Sequence, residues 1–164
     1  MPTVSPAQRS LTLVTGAMLA AIPVITLVLW ATLAADGVGE FPATWAPLVV
    51  LVAAAFAYAF CELVGFRAPA LEYSARPAAE IEAESWRRFT QSTFTRFAVC
   101  EGVFMVSIVL AFVVDSFWVV LVGAVLALPL VAWEVWPGPR NQQRFAASLE
   151  ARGTPSYLTG RLQD

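Results

Sequence analysis

Apolar residues gather into four long runs, and shorter polar stretches divide them. The runs cover residues 11–35, 45–66, 97–114 and 117–136. A helix crosses the hydrocarbon core of a bilayer with about 20 mostly apolar residues, within a range of about 17–25. Each run satisfies that length alone, so the pattern predicts four membrane-spanning helices. Backbone groups in lipid must bond to one another, which favours helices for such spans. The first run exceeds the roughly 7–15 apolar residues of a signal peptide core. It reads as a retained helix, although Thr32-Leu33-Ala34 loosely resembles a cleavage site.

The polar stretches have structure of their own. After the turn-forming Arg67-Ala68-Pro69, the composition changes at Pro77 to an Ala- and Glu-rich segment. Proline suits the first helical turn, and acids there oppose the positive end of the macrodipole. No Gly or Pro falls between Ala78 and Cys100, so one helix is predicted from Ala78 to Val114. It would run about 55 Å, against a hydrocarbon core of about 30 Å, so its first half projects from the membrane. Trp136-Pro137-Gly138-Pro139 must end the fourth span. Asn141 to Ala151 reads as a short helix with Phe145 and Leu149 on one face. The expected organisation is a transmembrane domain over residues 1–136, with a helical loop at 67–96, and a tail over 137–164. That tail is expected to lie on the membrane surface or to be loosely attached.

Composition agrees with this pattern. The chain is 59% hydrophobic and only 13% charged, with a mean hydropathy of +0.69. A core made from 164 residues cannot hide that excess from water. There is no histidine, which removes Ser-His and Cys-His catalysis and His-ligated metals or haem. The net charge of −2 gives no field for nucleic acid.

All ten basic residues are arginines, and the four spans place them on one side. Arg9 precedes the first span, Arg67, Arg76, Arg87, Arg88 and Arg96 lie between the second and third, and Arg140, Arg144, Arg152 and Arg161 follow the fourth. The positive-inside rule then puts both termini and the 67–96 loop in the cytoplasm. The fold class expected is an all-α integral membrane protein: a four-helix transmembrane bundle with a cytoplasmic extension of its third helix.

Candidate chemistry is sparse. Glu62, Glu101 and Glu134 sit in or beside spans near the arginine-bearing boundary. They form either a carboxylate layer for a cation or proton, or interfacial ion pairs with Arg67, Arg96 and Arg140. At mid-span the only polar groups are Thr26, Tyr58 and Ser107. Cys61 precedes Glu62 and Cys100 precedes Glu101, but they lack metal-ligand spacing and read as small buried residues. No catalytic, cofactor-binding or metal-ligating residue is expected. Small residues at Ala53 and Ala57, Ala55 and Ala59, and Gly123 and Ala127 are candidates for close helix contact. Pro23 and Pro129 are expected to kink their spans. The projecting helix and the tail offer Trp86, Arg87, Arg88, Phe89, Phe145, Leu149 and Tyr157. These form either a headgroup-depth belt or a docking surface for other membrane-protein subunits.

The halves also share a pattern, with Phe60-Cys61-Glu62 before Arg67 and Ala132-Trp133-Glu134 before Arg140. Arg96 and Glu101 entering the third span, then Trp136-Pro137 and an arginine-bearing tail to Gly153, carry a wider likeness. In these the chain resembles uncharacterised four-helix inner-membrane proteins of high-GC actinobacteria, a likeness that implies no particular activity. Its topology is also similar to that of the ATP synthase assembly protein of the I type, in architecture only. The expected function is a non-catalytic accessory or assembly subunit of a larger plasma-membrane complex, with a respiratory or energy-converting complex among the hosts it fits. The alternative is a small oligomeric transporter or channel that uses the carboxylate layer.

Overall fold

The computed structural model describes residues 6–34, 37–43, 45–72 and 76–160. Arg161, which entered the charge reading, lies outside the described residues. Every regular element among the described residues is helical: α1 Pro6–Leu33, α2 Ala46–Phe60, α3 Ala78–Val114, α4 Trp118–Leu130 and α5 Pro139–Leu149. The first four, with the turns that extend α2 and α4, are long and apolar enough to cross a membrane. The third helix has the limits expected from sequence, and α5 starts two residues early because Pro139 itself occupies the first turn.

A single stripe explains how α3 serves both halves of the molecule. Ile81, Ser85, Phe89, Thr93, Arg96, Cys100, Phe104, Ser107 and Ala111 are all buried, at helical spacings of three or four. From Phe97 onward the stripe packs against α2 and α4, while α1 rests mainly on α4. The α3–α4 approach is close because residue 123 is glycine: a Cβ there would overlap the Ser107 side chain. Asp115 ends α3 in the left-handed region (φ 50°), which Asp tolerates better than most residues, and the chain turns directly into α4. At this same end, Trp118 Nε1, at the start of α4, donates to the Gly39 carbonyl in the segment before α2 at 2.9 Å.

On α2 the inward column is Ala46, Val50, Ala54, Ala57 and Cys61. Ala55 and Ala59, expected as a contact pair, instead face outward. Helical phase decides this: residues four apart share a face, and the buried face runs through Ala54 and Ala57.

Before Phe97 the α3 stripe builds a second, separate core. Trp86 and Phe89 pack there with Leu11, Phe66, Leu71, Phe145, Leu149 and Leu158. The Phe89 and Phe145 rings lie 5.5 Å apart. Backbone bonds fasten the tail to the loop after α2: Leu71 N–H donates to the Leu149 carbonyl at 2.8 Å, and Ala68 N–H donates to Ser148 Oγ at 2.7 Å. This corrects the expectation of a loosely attached tail. Phe145 and Leu149 are covered by the chain's own projecting helix, which shields apolar surface more cheaply than disorder would.

Candidate functional site

Both α2 and α4 end in a π-helical turn, Cys61–Gly65 and Val131–Val135. Each turn carries one of the membrane-boundary acids, Glu62 and Glu134. A π turn inserts one extra residue per turn and is often found at functional positions. In α4 it begins two residues after Pro129, whose missing N–H already breaks the regular ladder. At α2 no proline is involved.

Glu62 is gripped by α5. Arg144 donates from Nη1 to Oε1 and from Nη2 to Oε2, both at 2.6 Å. Arg140 Nη2 adds a bond to Oε1 at 3.1 Å. Arg140 and Arg144 are four apart, so one face of α5 presents both. The Glu62 carboxylate holds the Arg144 guanidinium above its ordinary value, which keeps it charged. Arg140 also bonds the Trp133 carbonyl at 3.2 Å and lies 4.5 Å over the Trp133 ring.

Glu134 is fully buried. Arg140 Nη2 approaches its Oε1 at 3.7 Å, beyond hydrogen-bond range, and neither carboxylate oxygen has a hydrogen-bond partner among the described residues. Its backbone carbonyl is better served. Arg96, also fully buried, donates Nη1 to that carbonyl and Nη2 to Thr93 Oγ1 at 3.1 Å. The last carbonyls of a helix lack intrahelical partners and carry partial negative charge, so a guanidinium is suited to this place. Arg96 lies 4.0 Å over the Phe66 ring, and Arg144 lies 4.3 Å over the same ring. Gly65 gives Arg96 its path: a Cβ there would come within 2.7 Å of Arg96 Cγ.

The structure thus brings Glu62 and Glu134 to one cluster with Arg96, Arg140 and Arg144. Glu101 does not join it: half-buried on α3, it makes no hydrogen bond or ion pair among the described residues. Arg67, offered as a partner for these acids, also stays out. Cys61 and Cys100 are in contact, with their sulfurs 3.7 Å apart and both side chains buried. No group of three or more metal-ligating side chains forms among the described residues.

The residues offered as a docking surface divide. Trp86, Phe89, Phe145 and Leu149 are buried in the second core. The α3 stripe continues past the lipid-facing segment, so these side chains meet their own chain first. Arg87 is exposed, and Arg88 and Tyr157 are partly exposed. Arg88 is tied to Glu84 and to the Pro69 carbonyl. Sequence reasoning missed Arg144 as the main partner of Glu62. Its four-residue spacing from Arg140 was visible, but nothing local pointed the pair at α2.

Compared with known protein families, with curated proteins and with solved structures, the chain matches none.

Proposed function

We propose that this protein is a non-catalytic accessory or assembly subunit of a larger membrane complex, in a bacterial plasma membrane, with both termini cytoplasmic. The likeness to actinobacterial inner-membrane proteins belongs to the same proposal. The observation that carries it is that the mid-span hydroxyls of Thr26 and Ser107 are satisfied within their own helices. Thr26 donates to the carbonyl of Ile22 at 2.8 Å, and Ser107 to that of Phe104 at 2.7 Å, each on its own helix. Glu62 is occupied by α5 and Arg96 by the end of α4. The hydroxyls of Thr26 and Ser107 leave no polar route through the middle of the spans among the described residues. One-sided arginines supply the orientation.

The test is purification of the tagged chain in nanodiscs, followed by mass spectrometry of what accompanies it. Subunits in fixed stoichiometry support the proposal; a lone homo-oligomer defeats it.

One observation favours the transporter reading instead: the buried Glu134 carboxylate without hydrogen bonds. An ionisable group at such a position is expensive and commonly serves ion movement. Proteoliposomes carrying the wild type or Glu134→Gln, assayed for proton and sodium flux, separate the two readings. Flux that Glu134→Gln abolishes would favour transport.

A further inference from the structure

A cavity of about 440 Å³ opens where α2 ends and the projecting half of α3 passes it. Its position follows from the chain. Phe66 is the last apolar residue of the second span, and Phe97 is the first of the third. The cavity is lined from residues 60–69 and 87–95, beside both positions in the chain, where a bilayer's hydrocarbon would give way to headgroups.

Its walls differ in kind. Phe60 and Val64 form the side toward the span, and Val64 is 51% exposed. Arg67, Arg87 and Arg88 form the opposite side, with Gln91 and Thr95 between. No acid lines it. Arg88 is already held by Glu84 and by the Pro69 carbonyl, which fixes one rim. Arg67 and Arg87 make no side-chain hydrogen bond or ion pair among the described residues, and both are exposed. Ser92 Oγ donates to the Gly65 carbonyl at 2.6 Å, so the floor is tied across the two helices rather than left to drift.

We infer that this cavity is a seat for an anionic phospholipid, with its phosphodiester between Arg67 and Arg87 and an acyl chain along Phe60 and Val64. Charge complementarity selects the occupant. Two unpaired guanidiniums without a facing carboxylate want a phosphate, since guanidinium matches phosphate geometry with paired donors. The apolar wall directly above wants hydrocarbon. A phospholipid carries both. Basic pockets beside spanning helices bind anionic headgroups on these grounds. The inference rests on the helices crossing a bilayer, and not on the accessory-subunit proposal.

The experiment is native mass spectrometry of the full chain, delipidated in detergent. It is titrated with dioleoylphosphatidylglycerol, with dioleoylphosphatidylcholine, and separately with glycerol 3-phosphate. Each arginine near an anionic lipid contributes about fivefold, so the two give a preference for phosphatidylglycerol of about twenty-five-fold. Arg67→Gln with Arg87→Gln should erase the preference, while Arg152→Gln, an exposed tail arginine, should leave it unchanged. A preference that survives the double change overturns the seat, as does an equal loss in Arg152→Gln, which would mean diffuse attraction. Competition by glycerol 3-phosphate at equal strength would make it a site for soluble phosphates. A photoactivatable phosphatidylglycerol on the wild-type chain needs no variant. Adducts are expected within residues 60–69 and 87–95, and adducts confined elsewhere would refute the assignment.

Discussion

Arg144 meets Glu62 with both arms of its guanidinium, at 2.6 Å to each carboxylate oxygen, across 82 positions of sequence. It is the contact that closes α5 onto the end of α2. The paired side chains are 31% and 26% exposed, so solvent screens the interaction partly. A double-mutant cycle with Glu62→Gln and Arg144→Gln, read by unfolding in detergent, should give a coupling of about 1 kcal/mol. Arg144→Lys should recover less than half of it, because a lysine cannot span both oxygens. Zero coupling would mean that the clasp does not hold the tail.

Gly123 faces Ser107 with no room for a side chain. Gly123→Ala should destabilise the protein by about 1–3 kcal/mol, the usual range for overpacking a tight core. Adding Ser107→Gly should restore part of the loss, since it empties the space the new methyl needs. Thermal melting of the two variants checks this, and an unaffected single variant would disprove the close approach.

The Cys61 and Cys100 thiols touch across α2 and α3. Iodine or copper phenanthroline should join them within one chain, with a mass loss of about two hydrogens and protection from maleimide after denaturation. The wanted control is Cys61→Ser, which should abolish both signs. Cross-links found only between chains would place these helices differently.

Orientation is open to direct labelling. In a Cys61→Ser, Cys100→Ser background, a cysteine at Gly39 should react with an impermeant maleimide in intact cells, and one at Arg152 only after lysis. Arg152 is a suitable probe site because it is exposed. The reverse pattern would invert the topology.

Glu84, on the projecting part of α3, lies between Arg76 and Arg88. The Arg76 bond above all holds its carboxyl below the ordinary 4.5; burial opposes it, and Arg88 adds to the lowering. A lowered folded value means the clasp stabilises above the unfolded pKa and is lost as pH falls through the folded one. The Glu84 carboxyl carbon, followed by NMR, should titrate below 4.5 and move back toward it in Arg76→Gln. A titration at or above 4.5 in the wild type would contradict the arrangement.

How far the sequence carried varies by element. The limits of α3 were legible because no helix breaker interrupts 78–100 and Asp115-Ser116 leaves space only for a turn. Glu62 and Glu134 stood out because acids are costly at the edge of a span. Arg140 was among the partners offered, but Arg144, the main partner of Glu62, was not, because it comes from a helix 82 positions away and no local spacing encodes that docking. The burial of Trp86 and Phe89 was within reach. The run Ile81, Ser85, Phe89, Thr93 and Arg96 keeps one helical face, but aromatics beside arginines look the same at a membrane surface. The contact between the two cysteines was hidden in the same way. Each lies on the inward face of its own helix, but which residue of α2 meets which residue of α3 is set by the packing of two helices 39 positions apart, and no local spacing encodes it.

The clasp between α5 and α2 also sets an order of events during synthesis. Glu62 leaves the ribosome 78 residues before Arg140 and 82 before Arg144. For that interval the nascent chain holds an acid at the edge of the bilayer without the groups that later bond it. The two final spans must be threaded while it waits. The molecule is therefore completed from its last part backward: the eleven residues of α5 seal an end of the helical assembly that was made long before them. A chain stalled or cut before Arg140 would have all four spans and still be unfinished. Its Glu62 carboxylate would lack the guanidiniums of α5, and its aromatic core would stand open where Phe145 and Leu149 belong.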